Sequence, residues 1–166
     1  MKILDLGGVR KAKESEDIIT VNIGGLGDIE YDLNNFPYPF KDNVFDEVRI
    51  YHVLEHLEKP IKVMEEVWRI LKPNGIVKIK IPYWKLLTTF ENPFHLHEFK
   101  EGWFKNLSTF SSIYCKNGEV LMRSFLPKVN FKLVKTRKQR GRYKFWKIYE
   151  LEIWMKKINL NENPYF

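Results

Sequence analysis

The sequence predicts an α/β domain with a mostly parallel sheet, a terminal antiparallel hairpin and a reduced number of helices on one face. Short apolar segments recur through the first half, an amphipathic helix separates two of them, and two longer strand-like segments follow near the end. Strands that alternate with a helix favour parallel pairing, whereas successive strands joined by a short turn favour antiparallel pairing. A chain of 166 residues suits one domain, which we place at 1–157, followed by a polar tail at 158–166.

The first third of the chain consists of short apolar segments separated by glycine turns. Strands are expected at 2–6, 18–23 and 28–33, with glycines after the first strand and between the other two. The two connections, about eleven and about four residues long, are shorter than a parallel crossover with a helix normally needs. One face of the sheet should therefore be poorly covered, and residues 18–33 can form either two parallel strands or a hairpin.

The clearest alternation of strand and helix lies between residues 45 and 82. Residues 45–51 have a strand pattern, and Pro60 suits the first turn of a helix. The apolar residues that follow recur at helical spacing on one face: Ile61, Met64, Val67, Trp68 and Leu71. A Lys-Pro-Asn-Gly turn ends the helix, and residues 76–81 alternate apolar side chains with Lys78 and Lys80. The stretch predicts one α/β unit whose last strand has a lysine-bearing face.

The second half of the chain predicts an aromatic loop, a helix and the terminal hairpin. The loop covers residues 84–100, and the helix is expected over 101–114. Strands are expected at 131–138 and 144–155, on either side of Gly141. The hairpin accounts for the antiparallel end of the sheet.

Composition limits the location and the class of partner. Cys115 is the only cysteine, which excludes an intrachain disulfide and indicates a reducing compartment. The N-terminus lacks a signal-peptide pattern and no apolar run approaches transmembrane length, so we expect a cytoplasmic protein without a membrane partner. The net charge of +7 is consistent with an anionic substrate or partner, nucleic acid included, and equally with a lysine-rich solvated surface typical of a thermophile.

Several motifs in the central unit occur together in one family. They are Phe45-Asp46, Val53-Leu54-Glu55-His56, Glu66, Arg69, Leu71-Lys72-Pro73-Asn74-Gly75 and Ile81-Pro82. In this order they resemble the second half of small class I S-adenosylmethionine-dependent methyltransferases with a type 11-like domain, here truncated in the N-terminal half. The resemblance implies a Rossmann-like fold, S-adenosylmethionine as cofactor and transfer of a methyl group to an unidentified acceptor.

The resemblance also implies where the cofactor binds. Asp5, Gly7 and Gly8 match the acidic strand end and glycine loop, although Val9, Arg10 and Lys11 stand where further glycines are usual. The other implied cofactor residues follow the later strands: Asn22, Ile23, Asp32, Leu33, Tyr51 and His52. Asn22 replaces the acidic residue that usually holds the ribose hydroxyls, and Asp32 is equally consistent with a simple turn residue. A shortened glycine loop leaves an alternative, a binding or scaffold module of this fold with weak or lost cofactor binding.

Candidate residues for the acceptor come from two regions. His52, His95 and His97 are candidates for a general base because imidazole titrates near neutral pH. The resemblance implies that Trp84 and His95 lie near the acceptor, although the same loop can simply pack on the surface. Arg137, Arg140 and Arg142 form the densest positive cluster, which suits a phosphate or RNA and equally a solvated hairpin tip.

Two further hypotheses concern metals and assembly. His52, Glu55 and His56 spell H-x-x-E-H, in which two histidines on one helix face bind zinc in a hydrolase and the glutamate is the general base. Pro60 leaves room for only about two helical turns, so we favour a structural role for His56 and assign no metal ligands. The poorly covered sheet face suggests a homodimer or another partner that buries it.

Overall fold

The computed structural model describes residues 1–12, 15, 17–83, 91–113, 115–116, 119–120, 129–140 and 149–159. Its strands are β1 (Ile3–Leu6), β2 (Ile18–Asn22), β3 (Ile29–Glu30), β4 (Phe45–Tyr51), β5 (Leu71–Pro82), β6 (Cys115–Lys116), β7 (Glu119–Val120), β8 (Phe131–Arg140) and β9 (Tyr149–Lys157). Its helices are α1 (Pro60–Ile70) and α2 (Glu101–Ile113), with 3₁₀ turns at Arg10–Ala12 and Leu54–His56. The main elements lie where the sequence predicts them.

Seven of the strands form one sheet in the order β3-β2-β1-β4-β5-β9-β8. The first five are parallel, and β9 pairs antiparallel with both β5 and β8. Strands β6 and β7 form a separate pair. The predicted fold class, a mostly parallel sheet with a terminal antiparallel hairpin, is confirmed.

The hairpin alternative for residues 18–33 is wrong, because β2 and β3 run parallel with Val21 opposite Ile29. The chain reverses twice between them within a few residues. Thr20 and Asp28 hold this loop closed: Thr20 N–H donates to Asp28 Oδ2 (3.0 Å), and Asp28 N–H donates to Thr20 Oγ1 (2.9 Å). Gly24 supplies one of the left-handed residues that the turn needs (φ 65°). This clasp lets a short loop replace a crossover helix.

Helix α1 covers one face of the sheet. Its Val63, Met64, Val67 and Ile70 are fully buried in the core, and Trp68 Nε1–H donates to Asn130 O at 3.1 Å. Between β1 and β2 the described residues contain only a 3₁₀ turn, as the short connection predicts. None of the helices in the described ranges combines the length and the apolar character needed to cross a bilayer.

The opposite face of the sheet carries paired charges. Lys78 Nζ lies 2.7 Å from Glu47 Oε2 and 4.7 Å from the centre of the Trp154 ring. Lys80 Nζ lies 3.7 Å from Glu150 Oε1 and also sits over an aromatic ring. Lysine stems and ion pairs thus shield strand surface that helices usually cover. The homodimer over this face stays a prediction.

Glu66 and Arg69 of α1 fasten the loop that follows β3. The Arg69 guanidinium donates to Glu66 Oε2 (2.6 Å), to Phe40 O (2.7 Å) and to Tyr38 O (3.1 Å). The Tyr38 N–H donates to the same Glu66 oxygen (2.6 Å), and its hydroxyl donates to Leu33 O (3.0 Å). Burial, with Glu66 nearby, raises the pKa of Tyr38, and the bond to Glu66 raises the pKa of Arg69. The E-x-x-R pair of the central motif is therefore a clamp on this loop.

Element boundaries differ from prediction at several places, including β3, which is shorter than the expected 28–33, and the start of β5. Strand β5 begins at Leu71, directly after α1, and its register against β4 shifts between Phe45 and Glu47. The expected turn at 72–75 lies in this irregular start, where Asn74 is left-handed (φ 67°). The tip of the terminal hairpin, 141–148, lies outside the described residues. The first tail residues are tied down, because Ile158 N–H donates to Asn130 O at 3.0 Å.

Candidate functional site

A cavity of about 370 Å³ opens at the carboxyl ends of the parallel strands. Its lining residues follow β1, β2, β3 and β4: Gly7, Asn22, Ile23, Tyr31, Asp32, Leu33, Asn34, His52, Val53, His56 and Leu57. Ligands of open α/β sheets bind in the crevice outside the carboxyl ends of the strands, where the strand order reverses. In this sheet the reversal lies between β1 and β4, and the cavity is beside it.

The two glycines after β1 are both required by close contacts. Gly7 is left-handed (φ 83°), and a Cβ on it would overlap Val53 Cγ2 across the cavity floor. Gly8 covers the carboxyl group of Asp5, because a Cβ there would lie 2.5 Å from Asp5 Cγ. Larger residues at either position would displace the loop. Asp5 and Gly8 therefore pack against each other within the loop, and neither of them lines the cavity.

The side-chain amide of Asn22 forms hydrogen bonds with this glycine loop. Its Nδ2 donates to Gly7 O (2.8 Å) and to Gly8 O (3.3 Å), while its Oδ1 accepts from Ile23 N–H (2.8 Å). A carboxylate at this position could not donate either bond. The departure from the acidic residue of the family therefore has a structural cause. Of the described residues that line the cavity, Asp32 is the only one with a carboxylate.

Asp32 and Leu33 lie in a turn and also line the cavity. Asp32 Oδ1 accepts from Asn34 N–H (2.9 Å), a local side-chain turn, and Asp32 O accepts from Asn35 N–H (3.0 Å). Asn34 in turn accepts from Glu58 N–H through Oδ1 (2.9 Å), which fixes this wall to the segment after β4. The parallel pairing of β2 and β3 is what brings Asp32 beside Asn22.

His52 stands at the end of β4 in a left-handed conformation (φ 55°). Its N–H donates to Lys80 O (2.8 Å), and its Nε2 lies 2.8 Å from Glu150 Oε2. Its Nδ1 lies 3.6 Å from Glu55 Oε1. The neighbouring Glu55, and then Glu150, raise the pKa of His52 above its ordinary value, against the opposing effect of burial. His52 at the cavity wall therefore stays protonated to a higher pH than an isolated histidine.

The neighbouring Tyr51 belongs to the other face of the sheet. Lys80 Nζ lies 4.7 Å from the centre of its ring, and burial raises the pKa of Tyr51 to about 12. Successive residues of a strand point to opposite faces, which separates Tyr51 from the buried Ile50. The structure therefore places Tyr51 away from the cavity lining, whereas Ile23 lines it.

The helical arrangement expected for the zinc-hydrolase motif is wrong. The only helical residues there are Leu54–His56, a 3₁₀ turn, and the left-handed His52 precedes it. His52 and His56 therefore do not share one helix face. The structure instead brings His95 to His56, with ring centroids 4.9 Å apart. The Nε2 atom of His97 lies 3.3 Å from Glu58 O.

The remaining predicted acceptor residues are only partly described. Trp84 and Arg142 lie outside the described residues, and for Arg140 the description covers its place in β8. Arg137 is exposed on β8, opposite Glu152 in the strand register. Sequence reasoning missed five lining residues, Tyr31, Asn34, Val53, His56 and Leu57. Asn34 directly follows the strand predicted at 28–33, which is the signal that would have found it, whereas the other four carried no such signal.

Comparison with solved structures supports the fold. A SAM-dependent methyltransferase from Methanosarcina mazei is 17% identical, with a TM-score of 0.62, 95% of this chain and 92% of that chain being covered. The [4+2]-cyclase SpnF has a TM-score of 0.63 at 12% identity, covering 95% of this chain and 74% of that one. Residues 9–79 also match the family model described as a methyltransferase domain. Residues 9–79 are thus similar to a methyltransferase domain, and the fold of the chain is that of the solved SAM-dependent methyltransferases.

Sequence relatives match this chain over shorter segments. An uncharacterized methyltransferase of Schizosaccharomyces pombe is 42% identical over 45 residues, which are 27% of this chain and 16% of that protein. The ubiquinone/menaquinone biosynthesis C-methyltransferase UbiE of Escherichia fergusonii is 38% identical over 55 residues, 32% of this chain and 22% of that protein. The matched part thus spans less than a quarter of either relative. The match of residues 9–79 to a methyltransferase domain is in keeping with the predicted cofactor, S-adenosylmethionine.

Proposed function

We propose that this chain binds S-adenosylmethionine in the cavity and transfers its methyl group to an acceptor that remains to be identified. The observation that carries the proposal is the cavity itself, at the carboxyl ends of the parallel strands beside the glycine loop. Gly7, Asp32 and Leu33 would hold S-adenosylmethionine, which would supply a sulfonium methyl group for displacement by an acceptor's electron pair, with S-adenosylhomocysteine as the leaving group. Much of the rate of such a transfer can come from holding the two reactants in line.

The residues present suit this cofactor. The left-handed Gly7 lets backbone approach a ligand closely, and Leu33 and Leu57 offer apolar surface for a ring. Asp32 would accept from a hydroxyl or amino group, since Asn22 already uses both donors and one acceptor position within the loop. His52 would face the substrate end of the cavity. If the acceptor needs a base, His52 must first lose its proton.

Calorimetric titration with S-adenosylmethionine and S-adenosylhomocysteine tests the proposal. We expect micromolar binding that Gly7→Val abolishes, because the new side chain would fill the space against Val53. Asp32→Asn should weaken binding about 10-fold or more, the value of one charge-assisted hydrogen bond. Gly102→Ala is the control, because nothing lies within 4 Å of its Cβ position.

Absence of binding at millimolar ligand would favour the scaffold alternative. One feature is consistent with that alternative: the ribose position is held by Asn22, whose amide is committed to the loop. The [4+2]-cyclase SpnF shares the fold, so the fold by itself does not settle the reaction. The search would then turn to protein or RNA partners.

The positive charge supports an anionic acceptor as a secondary proposal. The net charge is +7, and Lys135, Arg137 and Lys138 are exposed along β8. The competing explanation is that β8 is an edge strand, where charged side chains prevent unwanted strand pairing. Replacing Arg137, Arg140 and Arg142 with Ser should lower affinity for polyanions, and unchanged affinity would discard the proposal.

A further inference from the structure

Glu55 is a buried carboxylate in an unusual state. Glu55 is 1% exposed, and neither of its carboxylate oxygens has a hydrogen-bond partner within the part of the chain that the structure describes. His52 Nδ1 is 3.6 Å from one of these oxygens, which is too long for a hydrogen bond. Burying a carboxylate without donors costs free energy, so such a group normally has a bound cation or a full set of donors.

Two imidazoles lie beside this carboxylate. Glu55, His56 and His95 each present one ligand atom, and these atoms all lie within 4.8 Å of one another. We propose that these three residues form a binding site for a divalent transition-metal ion such as Zn²⁺. Two histidines and one carboxylate, with a position left open, are a donor set that zinc sites use. The set differs from the H-x-x-E-H pattern because His95 takes the place of His52.

The backbone holds the two contributing segments together. The carbonyl oxygen of Glu55 accepts from Leu96 N–H (2.8 Å) and from His97 N–H (3.2 Å). The loop that carries His95 is therefore attached to the turn that carries Glu55 and His56. Within that loop, His95 N–H donates to Asn92 O (3.1 Å) and Phe94 N–H donates to Asn92 Oδ1 (3.0 Å). The donor set is assembled by backbone contacts before any ion arrives.

The second ring nitrogen of His56 is engaged as metal-binding histidines require. His56 Nδ1 lies 2.9 Å from Phe94 O, and since a carbonyl only accepts, Nδ1 carries the proton and Nε2 keeps its lone pair. Such a bond from the second ring nitrogen to a carbonyl orients histidine ligands. His95 Nε2 lies 3.0 Å from Asn92 Nδ2. Because Asn92 Oδ1 already accepts from Phe94 N–H, this amide donates to His95 Nε2 and leaves the ring proton on Nδ1, so the bond to Asn92 must break for His95 to bind an ion.

The geometry requires a modest contraction on binding. Zinc–nitrogen bonds of about 2.0–2.1 Å would place neighbouring ligand atoms about 3.3 Å apart, closer than the present 4.8 Å limit. Side-chain rotations of His95 and Glu55 toward the ion would supply the difference. Because His56 also lines the cavity, the open metal position would lie at its wall, where an oxygen or nitrogen ligand could reach it. The site stands independently of the proposed methyl transfer.

The test is calorimetric titration of the untagged, chelator-treated chain with Zn²⁺, together with elemental analysis of the protein as purified. We expect one Zn²⁺ per chain. Glu55→Gln, His56→Gln and His95→Gln should each weaken binding by about 100-fold or more, since loss of an outer-shell partner alone often lowers affinity about 10–100-fold. His97→Gln is the matched control, because this neighbouring histidine contacts Glu58 O instead of the cluster.

Thermal denaturation separates metal binding from a purely structural role. Without metal, Glu55→Gln should change the melting temperature little, because it removes a buried charge that lacks hydrogen-bond donors in the described residues but also removes the ion pair with His52. It should gain no stability from Zn²⁺, whereas the parent and His97→Gln should both gain. The proposal is overturned if no saturable binding occurs, if binding survives His56→Gln and His95→Gln, or if His97→Gln weakens it equally.

Discussion

The side-chain amide of Asn22 donates a 2.8 Å hydrogen bond to the carbonyl oxygen of Gly7. This bond ties the end of β2 to the turn after β1, directly at the cavity. The turn is held from the backbone side as well, because Gly7 N–H donates to Val21 O at 2.7 Å. The shortened glycine loop is therefore braced by its neighbouring strand, and the brace depends on a neutral amide rather than on the acidic residue usual in the family.

Asn22→Asp should destabilise the protein and weaken cofactor binding. The carboxylate loses two donors and faces two carbonyl oxygens, so we expect a loss of about 1–3 kcal/mol in the free energy of unfolding. Asn34→Asp is the matched control, because its Oδ1 already accepts from Glu58 N–H and a carboxylate keeps that bond. Urea denaturation and titration with S-adenosylhomocysteine measure the two effects. Equal behaviour of the two variants would contradict the bracing role.

Gly8→Ala should be destabilising although Gly8 does not have a left-handed conformation. The added Cβ would lie 2.5 Å from Asp5 Cγ, so the Asp5 side chain or the loop must move. We expect about 1–3 kcal/mol, the usual range for overpacking. Gly102→Ala in α2 should instead leave stability unchanged or raise it by up to about 1 kcal/mol, because alanine favours helix. Urea midpoints give the comparison. An unchanged midpoint for Gly8→Ala would show that the Asp5 side chain can move aside without loss of stability.

Arg69→Lys should release the loop that carries Tyr38. Lysine keeps the charge but cannot reach Glu66 and the Phe40 and Tyr38 carbonyls together, so we expect a loss of about 2 kcal/mol. Lys62→Met is the control, because Lys62 is exposed and surface ion pairs such as the one with Glu65 contribute little to stability. Because Tyr38 supports Leu33, the Arg69 variant should also bind S-adenosylhomocysteine more weakly. If Arg69→Lys is as stable as the parent, Arg69 does not clamp the loop that carries Tyr38.

Lys157 should make stability increase with pH in the alkaline range. Its Nζ donates to Leu71 O (2.7 Å) and Asn43 Oδ1 (2.8 Å), and burial lowers its pKa below the ordinary 10.5. Between the folded and unfolded pKa values the unfolded chain binds more protons, so the free energy of unfolding rises with pH there.

Lys157→Met should lack this contribution, so the stability of the parent relative to the variant should increase from neutral pH toward 10.5. Lys62→Met is the opposite control, since Glu65 raises the pKa of Lys62 and its small contribution falls as pH rises. Urea denaturation at several pH values provides the curves. Parallel curves for the parent and Lys157→Met would contradict a lowered pKa.

The sequence by itself determined the fold class and most of the elements. Residues 45–51 and the start of α1 at Pro60 were predicted as the structure has them, because alternation, helical spacing and proline geometry are local properties. The family resemblance implied the glycine loop and Asp32 as cofactor residues, and the structure places Gly7 and Asp32 at one cavity.

Tertiary structure alone decided what depends on distant partners. The sequence of residues 18–33 was consistent with a hairpin or with parallel strands. In the structure the strands are parallel, and hydrogen bonds between Thr20 and Asp28 close the loop between them. The amide of Asn22 meets Gly7, and His95 meets His56, only because strand pairing and loop packing bring separate segments together. Side-chain periodicity reports which face a residue occupies, but it carries no information about which remote residue will face it.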